Sequence, residues 1–220
     1  MLFRSRFPSK WESEQVKTGW KHIDFFMLHL RYPYSIILGS ASPRRRDLLS
    51  SIGFNFTVDP INADENFPAH LRAEEIPLYL AEKKSIAYRE PLKKNELLIT
   101  SDTVVWLNNQ VLNKPENHTE AKKMLLQLSG NCHTVYTGVC LRTEKIKKTF
   151  VDATKVYFRE LKEEEIEYYI HHYPVFDKAG SYGAQDWIGC VAIERIEGSY
   201  FNVMGLPVNR LYDELIRLAE

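Results

Sequence analysis

The sequence predicts an α/β fold, because short apolar runs alternate with amphipathic stretches from residue 35 onward. The first run, Ile36-Ile37-Leu38, has the length and the β-branched character of a buried strand. The next residues, Gly39 to Pro43, have the composition of a turn that leads into a helix. At 220 residues, with 44% hydrophobic and 26% charged residues, the chain fits one globular domain or two closely packed lobes.

Capping residues mark where the helices begin and end. Ser42 and Pro43 predict the N-cap and the first residue of the first helix, and Gly53 predicts its end. Asn117, followed by Glu120 three residues later, predicts a second capped start. The helix that starts at Asn117 is predicted to extend to residue 128, and the remaining helices are predicted over residues 76–89, 162–172 and 208–219.

The strands are predicted between these helices. Residues 97–107 form an apolar run that the polar triplet Ser101-Asp102-Thr103 is expected to break. Asn108-Asn109 predicts a hairpin turn directly after it. Further strands are predicted over residues 132–142, 149–158 and 190–196, with a loop over residues 174–187.

Charge and cysteine content exclude several classes of function. The 29 basic residues balance 29 acidic ones, which argues against a broad positive surface for nucleic acid or anionic lipid. Apolar runs such as residues 104–107 are far shorter than the ~20 residues of a membrane-spanning helix. Three cysteines without a CxxC pair indicate neither a disulfide framework nor a structural zinc site. We therefore expect a cytoplasmic protein with no nucleic-acid or membrane partner, which binds any anion locally.

A predicted strand-to-helix junction supplies the first candidate site. Residues 40–46 place two serines and three consecutive arginines at a helix N-terminus, where unpaired N–H groups stabilise a phosphate. Successive helical residues are about 100° apart, so three arginines cannot all face one ligand. Arg44, nearest the cap, is the best candidate. A capped surface helix with a solvated basic run is the alternative at this point.

Asp102 is the second candidate, because a carboxylate inside an apolar strand pattern is costly unless it is paired, hydrogen-bonded or bound to a metal. An aspartate at a strand end or bulge is the alternative. Asp64-Glu65 and Lys114 carry little information alone. The polar, glycine-containing loop over residues 177–185 is the third candidate, since its glycines allow a ligand to approach the backbone.

Several known catalytic motifs do not occur in the sequence. The phosphate-loop pattern GxxxxGK[ST] and the dinucleotide pattern GxGxxG are absent. Without HExxH or GxSxG, zinc hydrolysis and serine hydrolysis are unsupported. His133 is therefore expected to have a structural role.

Taken together, these segments resemble the Maf family of nucleoside triphosphate pyrophosphatases over about residues 35–218. The motifs that carry the resemblance are Ser40 to Arg45, Ala63 to Glu65, Leu80-Ala81 with Lys84, Ser101 to Val105, Lys114-Pro115, Leu128 to Gly130 with His133, Thr137 to Val139, Asp177 to Gly183, Gly198 to Tyr200 and Gly205 to Pro207. Residues 35–220 are thus expected to form a Maf-like pyrophosphatase domain, and residues 1–34 an N-terminal extension outside the match.

The resemblance implies a Maf/inosine-triphosphatase-like mixed sheet with two lobes around a deep cleft, in a homodimer. It also implies a divalent cation, Mg²⁺ or Mn²⁺, and the splitting of a nucleoside triphosphate into monophosphate and pyrophosphate. By the family's pattern Asp102 is the catalytic base, and Glu65 and Asp102 hold the metal. The substrate-binding residues carried over in the same way are Ser40, Ser42, Arg44, Arg45, Lys84, Thr103, Lys114 and Gln185.

Arg44, Thr103 and Gln185 are the positions at which the chain resembles family members that hydrolyse dTTP and UTP. The alternatives are a pyrophosphatase for 7-methyl-GTP or inosine triphosphate, and a non-catalytic nucleotide-binding regulator of septum formation. A pure binding protein has no need for a water-activating carboxylate beside its phosphate-binding cations, which weighs against the regulator.

Overall fold

The computed structural model of the chain describes residues 32–88 and 91–219. The strands are β1 (Ser35–Leu38), β2 (Phe56–Val58), β3 (Glu96–Leu107), β4 (Gln110–Leu112), β5 (Cys132–Arg142), β6 (Lys147–Phe158) and β7 (Ile193–Glu197). The helices are α1 (Pro43–Ser51), α2 (Glu75–Ala87), α3 (His118–Leu128), α4 (Glu163–His172), α5 (Trp187–Ala192), α6 (Tyr200–Val203) and α7 (Val208–Ala219), with a 3₁₀ turn at Ala179–Ser181.

Within these residues the strands form one mixed sheet in the order β2-β1-β3-β5-β6-β7, and β4 pairs with β3. β1 runs parallel to β2 and β3, whereas the pairs from β3 through β7 are antiparallel. The predicted mixed α/β fold is confirmed. The described residues belong to one compact unit, and the two-lobed arrangement stays a prediction.

β3 runs unbroken through its polar triplet, so the predicted break at Ser101-Asp102-Thr103 is wrong. β5 pairs with it continuously, and Asp102 lies opposite Gly138 in that register. On the other edge β1 covers residues 96–99 and β4 covers residues 105–107. On this edge none of the described strands pairs with the residues between these two stretches, so the polar side chains lie at an opening in the sheet edge.

The predicted strand over residues 190–196 is only partly correct. Its first three residues belong to α5, and β7 begins at Ile193. The amides of Gly189 and Cys190 donate to the carbonyl of Asp186, which draws the apolar run into a helical turn. A short apolar run fits a buried strand and a buried helix equally well, so its periodicity could not separate the two.

Most predicted caps and turns are confirmed. Ser42 accepts a hydrogen bond from the Arg45 amide, and Asn117 accepts one from the Glu120 amide at the start of α3. The hairpin turn between β3 and β4 has Asn108 and Asn109 at φ 49° and 62°, a left-handed conformation that asparagine tolerates. Local side-chain chemistry therefore fixes where these elements begin and end.

Three hydrophobic clusters fill the core, a small one formed by Ile76, Leu80 and Val104 and two larger ones. The first of the larger ones includes Val105, Val135 and Val156 with α3 and α4, and the second includes Leu38, Ile99 and residues of α1 and α7. β3 contributes to both, so its position is fixed along its whole length.

The predicted N-terminal extension lies largely outside the described residues. Of its last residues, Tyr32 and Tyr34 pack against the second of the larger clusters, and the Tyr32 hydroxyl donates to the Leu215 carbonyl over 3.0 Å. No helix in the described part of the chain is both long enough and apolar enough to cross a membrane.

Candidate active site

A cavity of about 420 Å³ opens beside the unpaired edge of β3. The predicted site residues that line it are Ser42, Arg44, Arg45, Glu65, Lys84, Asp102, Thr103, Lys114 and Gln185. Ser40 is not among the described residues that line this cavity. The structure thus brings residues from six separate sequence segments to one cavity, while their chemical roles stay predictions.

Four side chains of alternating charge form a chain along the cavity wall. The Lys84 Nζ atom lies 2.5 Å from Asp102 Oδ1 and 2.9 Å from Glu65 Oε1. The other oxygen of Glu65 lies 2.9 Å from Lys114 Nζ. Each carboxylate is therefore neutralised by a lysine, and the four side chains together carry no net charge.

The two carboxylates lie in different environments. The side chain of Asp102 is 10% exposed and that of Glu65 is 47% exposed. Burial alone would raise the pKa of Glu65, but the hydrogen bonds from Lys114 and Lys84 outweigh burial and hold this pKa at about 2. Glu65 is therefore ionised at neutral pH.

The close seating of α2 on the sheet explains how Lys84 reaches Asp102. A Cβ atom on Gly138 would lie 2.3 Å from the backbone oxygen of Pro77, so only glycine lets the helix approach this closely. The Thr100 hydroxyl donates to the Ala81 carbonyl of the same helix over 2.7 Å. Helix α2 is thus fixed against β3 and β5, with its lysine directed at the carboxylate.

The three consecutive arginines at the start of α1 separate, as the helical geometry predicts. Arg44 Nη1 bonds Asp177 Oδ2 at 2.8 Å at the cavity wall. Arg46 lies 3.6 Å from Asp47 on the surface. Asp177 was not predicted as a site residue, although it begins the glycine-containing loop that the sequence marks.

Arg45 is directed into the protein. Its Nε donates to the Gly205 carbonyl over 2.8 Å, and its Nη1 donates to the Ser101 carbonyl over 2.9 Å. Its Nη2 donates to Thr103 Oγ1 over 3.1 Å. Burial lowers the pKa of Arg45, and the charge of Asp102 opposes that shift. The guanidinium therefore joins α1 to β3 and to the loop before α7, and supplies a buried positive charge next to the cavity.

The two serines take part in the start of α1. Ser42 Oγ accepts from the Arg45 amide, and Ser40 Oγ accepts from the Ser42 amide over 3.2 Å. Ser40 is 8% exposed and its Oγ also lies 3.5 Å from Arg45 Nη1, so its hydroxyl stabilises the turn before α1 from inside the protein. A direct contact with a ligand is thus better placed at Ser42 than at Ser40.

Lys178 was also missed, and it follows Asp177 in the same loop. Its side chain is 4% exposed, and its Nζ lies 2.8 Å from Asp177 Oδ1 and 3.6 Å from Asp186 Oδ2. It also donates to the Pro174 carbonyl. These contacts hold the loop together at the cavity, and the polar composition of residues 177–185 was the available signal.

His133 lies in the core behind this loop. Its Nε2 is 2.7 Å from the hydroxyl of Tyr182, a cavity residue, and burial lowers the pKa of His133 to about 3. The imidazole is therefore neutral and supports Tyr182, in agreement with the expected structural role.

The acidic residues of the site offer few ligands for a metal. Among the residues that the structure describes, no group of three or more histidine, cysteine or acidic side chains is arranged to hold an ion. Glu65 and Asp102 nonetheless provide two carboxylates joined through Lys84. Mg²⁺ is commonly held by one or two carboxylates together with substrate phosphates and water, so this pair fits such a cation.

Known proteins resemble this chain over nearly the whole described domain. A family model described as Maf-like protein matches residues 35–218. The dTTP/UTP pyrophosphatase of Phocaeicola vulgatus is 52% identical over 193 residues, which cover 87% of this chain and 100% of that protein. The dTTP/UTP pyrophosphatase of Bacteroides thetaiotaomicron is 49% identical, over 84% of this chain and 96% of that protein.

The dTTP/UTP pyrophosphatase of Porphyromonas gingivalis strain W83 is 48% identical, over 85% of this chain and 96% of that protein. A solved structure of the Staphylococcus aureus Ham1 protein is 15% identical with a TM-score of 0.39, over 56% of this chain and 71% of that one. With a family model that spans nearly the whole described domain and relatives at about half identity, the chain belongs to the Maf family.

Proposed function

We propose that this protein hydrolyses dTTP and UTP, and related modified pyrimidine nucleotides, to the monophosphate and pyrophosphate. The observation that carries the proposal is the chain of Lys84, Asp102, Glu65 and Lys114 along one cavity. It places a buried carboxylate beside cations that suit a triphosphate. The names of the relatives support the same activity.

The charges of the cavity suit a triphosphate tail. A nucleoside triphosphate carries about four negative charges near pH 7, and a neutral protein has to bind it through locally concentrated cations. Lys84 and Lys114 contribute two such cations and Arg44 at the cavity wall a third, each held in place by an acidic partner. The buried charge of Arg45 adds to the positive field without a direct contact, and the Ser42 hydroxyl donates to a phosphate oxygen.

Asp102 acts as the general base. It orients a water molecule and takes its proton, while the water oxygen forms a bond to the α-phosphorus and the bond from that phosphorus to the bridging oxygen breaks. Pyrophosphate leaves with the bridging oxygen. Because Lys84 bonds Oδ1, we assign the water to Oδ2. Placement of Asp102 on a central strand holds this oxygen in a fixed position.

Glu65 and Asp102 would hold Mg²⁺ or Mn²⁺ when the substrate is present. Each carboxylate has about four lone-pair sites, so a hydrogen bond to a lysine does not prevent an oxygen from binding a cation. Such a cation, when bound, neutralises charge on the phosphates.

Specificity for the base is assigned to Thr103 and Gln185, whose polar side chains line the cavity. A site that hydrogen-bonds a base discriminates strongly against analogues that leave its polar groups unpaired. We also infer, from the family, a homodimer in the cytoplasm with no nucleic-acid partner, and light scattering on the purified protein tests its oligomeric state.

One assay tests the proposed activity. Pyrophosphate release is measured for dTTP, UTP, CTP, GTP, inosine triphosphate and 7-methyl-GTP, with Mg²⁺, with Mn²⁺ and with EDTA. We expect UTP and dTTP to be the best substrates, and Asp102→Asn to lose at least ~10²-fold in rate. Asp213→Asn, an exposed change on α7, is the control and should keep full activity.

Other outcomes would favour the alternatives. A preference for 7-methyl-GTP or inosine triphosphate would assign the protein to a different substrate class. Binding of UTP without release of pyrophosphate would favour the non-catalytic regulator.

A further inference from the structure

A series of hydrogen bonds leads from the cavity wall at Thr103 into the protein. Arg45 Nη2 donates to Thr103 Oγ1 over 3.1 Å, and Thr103 Oγ1 lies 2.9 Å from Thr137 Oγ1. Thr137 Oγ1 in turn donates to the backbone carbonyl of Asn202 over 3.1 Å. Thr137 and Asn202 have no exposed surface, whereas Thr103 lines the cavity. A hydroxyl that faces the ligand is thus connected to two groups that no ligand can reach.

The available protons fix the direction of these hydrogen bonds. A guanidinium can only donate and a carbonyl can only accept, while a hydroxyl has one proton and two lone pairs. Since Thr137 gives its proton to the Asn202 carbonyl, the bond between the two threonines uses the proton of Thr103. Arg45 occupies one lone pair of Thr103. Thr103 therefore has a single lone pair, and no proton, left for a ligand.

Asn202 is held so that its carbonyl stays in place. Its Nδ2 donates to the Val135 carbonyl over 3.0 Å and to Thr154 Oγ1 over 2.9 Å. Both partners belong to strands that flank or contain Thr137, which ties the acceptor to the sheet. The direction of the hydrogen bonds is thus built into the buried part of the fold.

We propose that Thr137 is a positioning residue that makes Thr103 a pure hydrogen-bond acceptor toward the ligand. Thr103 then binds a donor group of the nucleoside. A phosphate oxygen near neutral pH is itself an acceptor and does not suit this lone pair. Two donors are available in the substrate: the N3–H group that uracil and thymine share, and the 3′-hydroxyl of the sugar. This inference rests on the proposed function, because it assumes a pyrimidine nucleotide in the cavity.

Two analogues of UTP distinguish the donors on the wild-type protein. N3-methyl-UTP lacks the base donor, and 3′-deoxy-UTP lacks the sugar donor. We expect one of them to bind at least about tenfold more weakly than UTP, because the acceptor of Thr103 is left unpaired. Thr103→Val, which has nearly the same shape, should remove this difference, whereas a penalty caused by the size of the methyl group would persist.

Thr137→Val tests the positioning role. Without its partner, Thr103 can direct its proton at the ligand. A nucleotide that carries an acceptor in place of the donor group should then gain about tenfold in affinity relative to UTP. This nucleotide is CTP if the base supplies the donor and 3′-O-methyl-UTP if the sugar does. Thr137→Ser keeps the hydroxyl and should behave as wild type. A merely structural role would weaken all nucleotides alike.

Dissociation constants from titration calorimetry measure recognition separately from turnover. Wild-type binding of both analogues within about twofold of UTP would overturn the inference, as would a folded Thr137→Val protein with unchanged ratios. If Thr137→Val does not fold, the comparison of wild type with Thr103→Val decides. Nucleotide binding with the expected ratios but no release of pyrophosphate would instead refute the proposed hydrolysis alone.

Discussion

The ammonium group of Lys84 lies 2.5 Å from Asp102 Oδ1, and the two side chains are only 11% and 10% exposed. A buried ion pair of this kind contributes modestly as a pair, but removing one partner leaves an uncompensated buried charge. The pair therefore links the stability of the fold to the geometry of the site.

Lys84→Met should destabilise the protein by about 3 kcal/mol, because Asp102 would remain buried without its cation. Urea unfolding monitored by circular dichroism measures the change. Lys83→Met is the matched control, since Lys83 lies next to it on α2 and pairs at 3.1 Å with Asp64, whose side chain is 60% exposed. The control should cost less than ~1 kcal/mol. Equal effects of the two substitutions would contradict the buried pairing.

Lys114→Met should reduce the loss of folding stability that protonation of Glu65 causes at acid pH. The pKa of Glu65 is lowered from 4.5 to about 2, so its stabilisation is present above pH 4.5 and is lost as the pH falls toward 2. Without Lys114 this pKa rises toward 4.5, and the contribution at pH 7 falls by less than ~1 kcal/mol because Glu65 is half exposed. Urea unfolding at pH 3, 5 and 7 measures both effects, with the exposed Lys145→Met as the control. An unchanged profile would show that Lys114 does not control Glu65.

His133→Phe should flatten the pH dependence of stability in the acid range. Burial lowers the pKa of His133 from 6.5 to about 3, so the unfolded chain binds the extra proton between these values. Stability therefore rises with pH across that window, with a contribution of about 1.4 kcal/mol per pH unit. The substitution removes this slope, which unfolding free energies from pH 4 to 7 would reveal. The exposed His70→Gln should leave the slope intact.

Gly138→Ala should cost about 3 kcal/mol and reduce activity, because its Cβ would lie 2.3 Å from backbone that cannot rotate away. The shift of α2 would move Lys84 from Asp102. Gly39→Ala is the control, since its Cβ would meet side-chain atoms of Ile61 and Thr100, at 2.6 and 2.9 Å, and no backbone atom. Its cost should be under ~1.5 kcal/mol. Thermal melting and pyrophosphate release compare the two, and a mild Gly138→Ala would contradict the close seating of α2.

Local signals in the sequence predicted the elements whose boundaries depend on local chemistry. Ser42 and Asn117 cap their helices as expected because a cap needs only its own side chain and an amide two or three residues later. The break predicted in β3 failed because β5 pairs with the strand continuously, and because Lys84 of α2, which is seated against Gly138, pairs with the Asp102 carboxylate. That compensation comes from residues distant in sequence.

In the site, too, local motifs predicted which residues take part, whereas long-range contacts decide how they are oriented. Motifs marked Asp102, Lys84 and Lys114, and the structure brings them to one cavity. The inward direction of Arg45 and the ion pair of Arg44 with Asp177 depend on how α1 packs against β3 and the loop before α7. No spacing rule in a single sequence encodes such long-range contacts.

The continuity of β3 couples the loss of activity on heating to unfolding of the whole protein. Asp102 lies in the middle of a strand whose ladder with β5 extends over both sides of it. The amide hydrogens that β3 directs at β5 should exchange only when the whole molecule opens, and no partial fraying can release the carboxylate. Heat inactivation and loss of the native state should accordingly occur as one event, with no folded but inert intermediate between them.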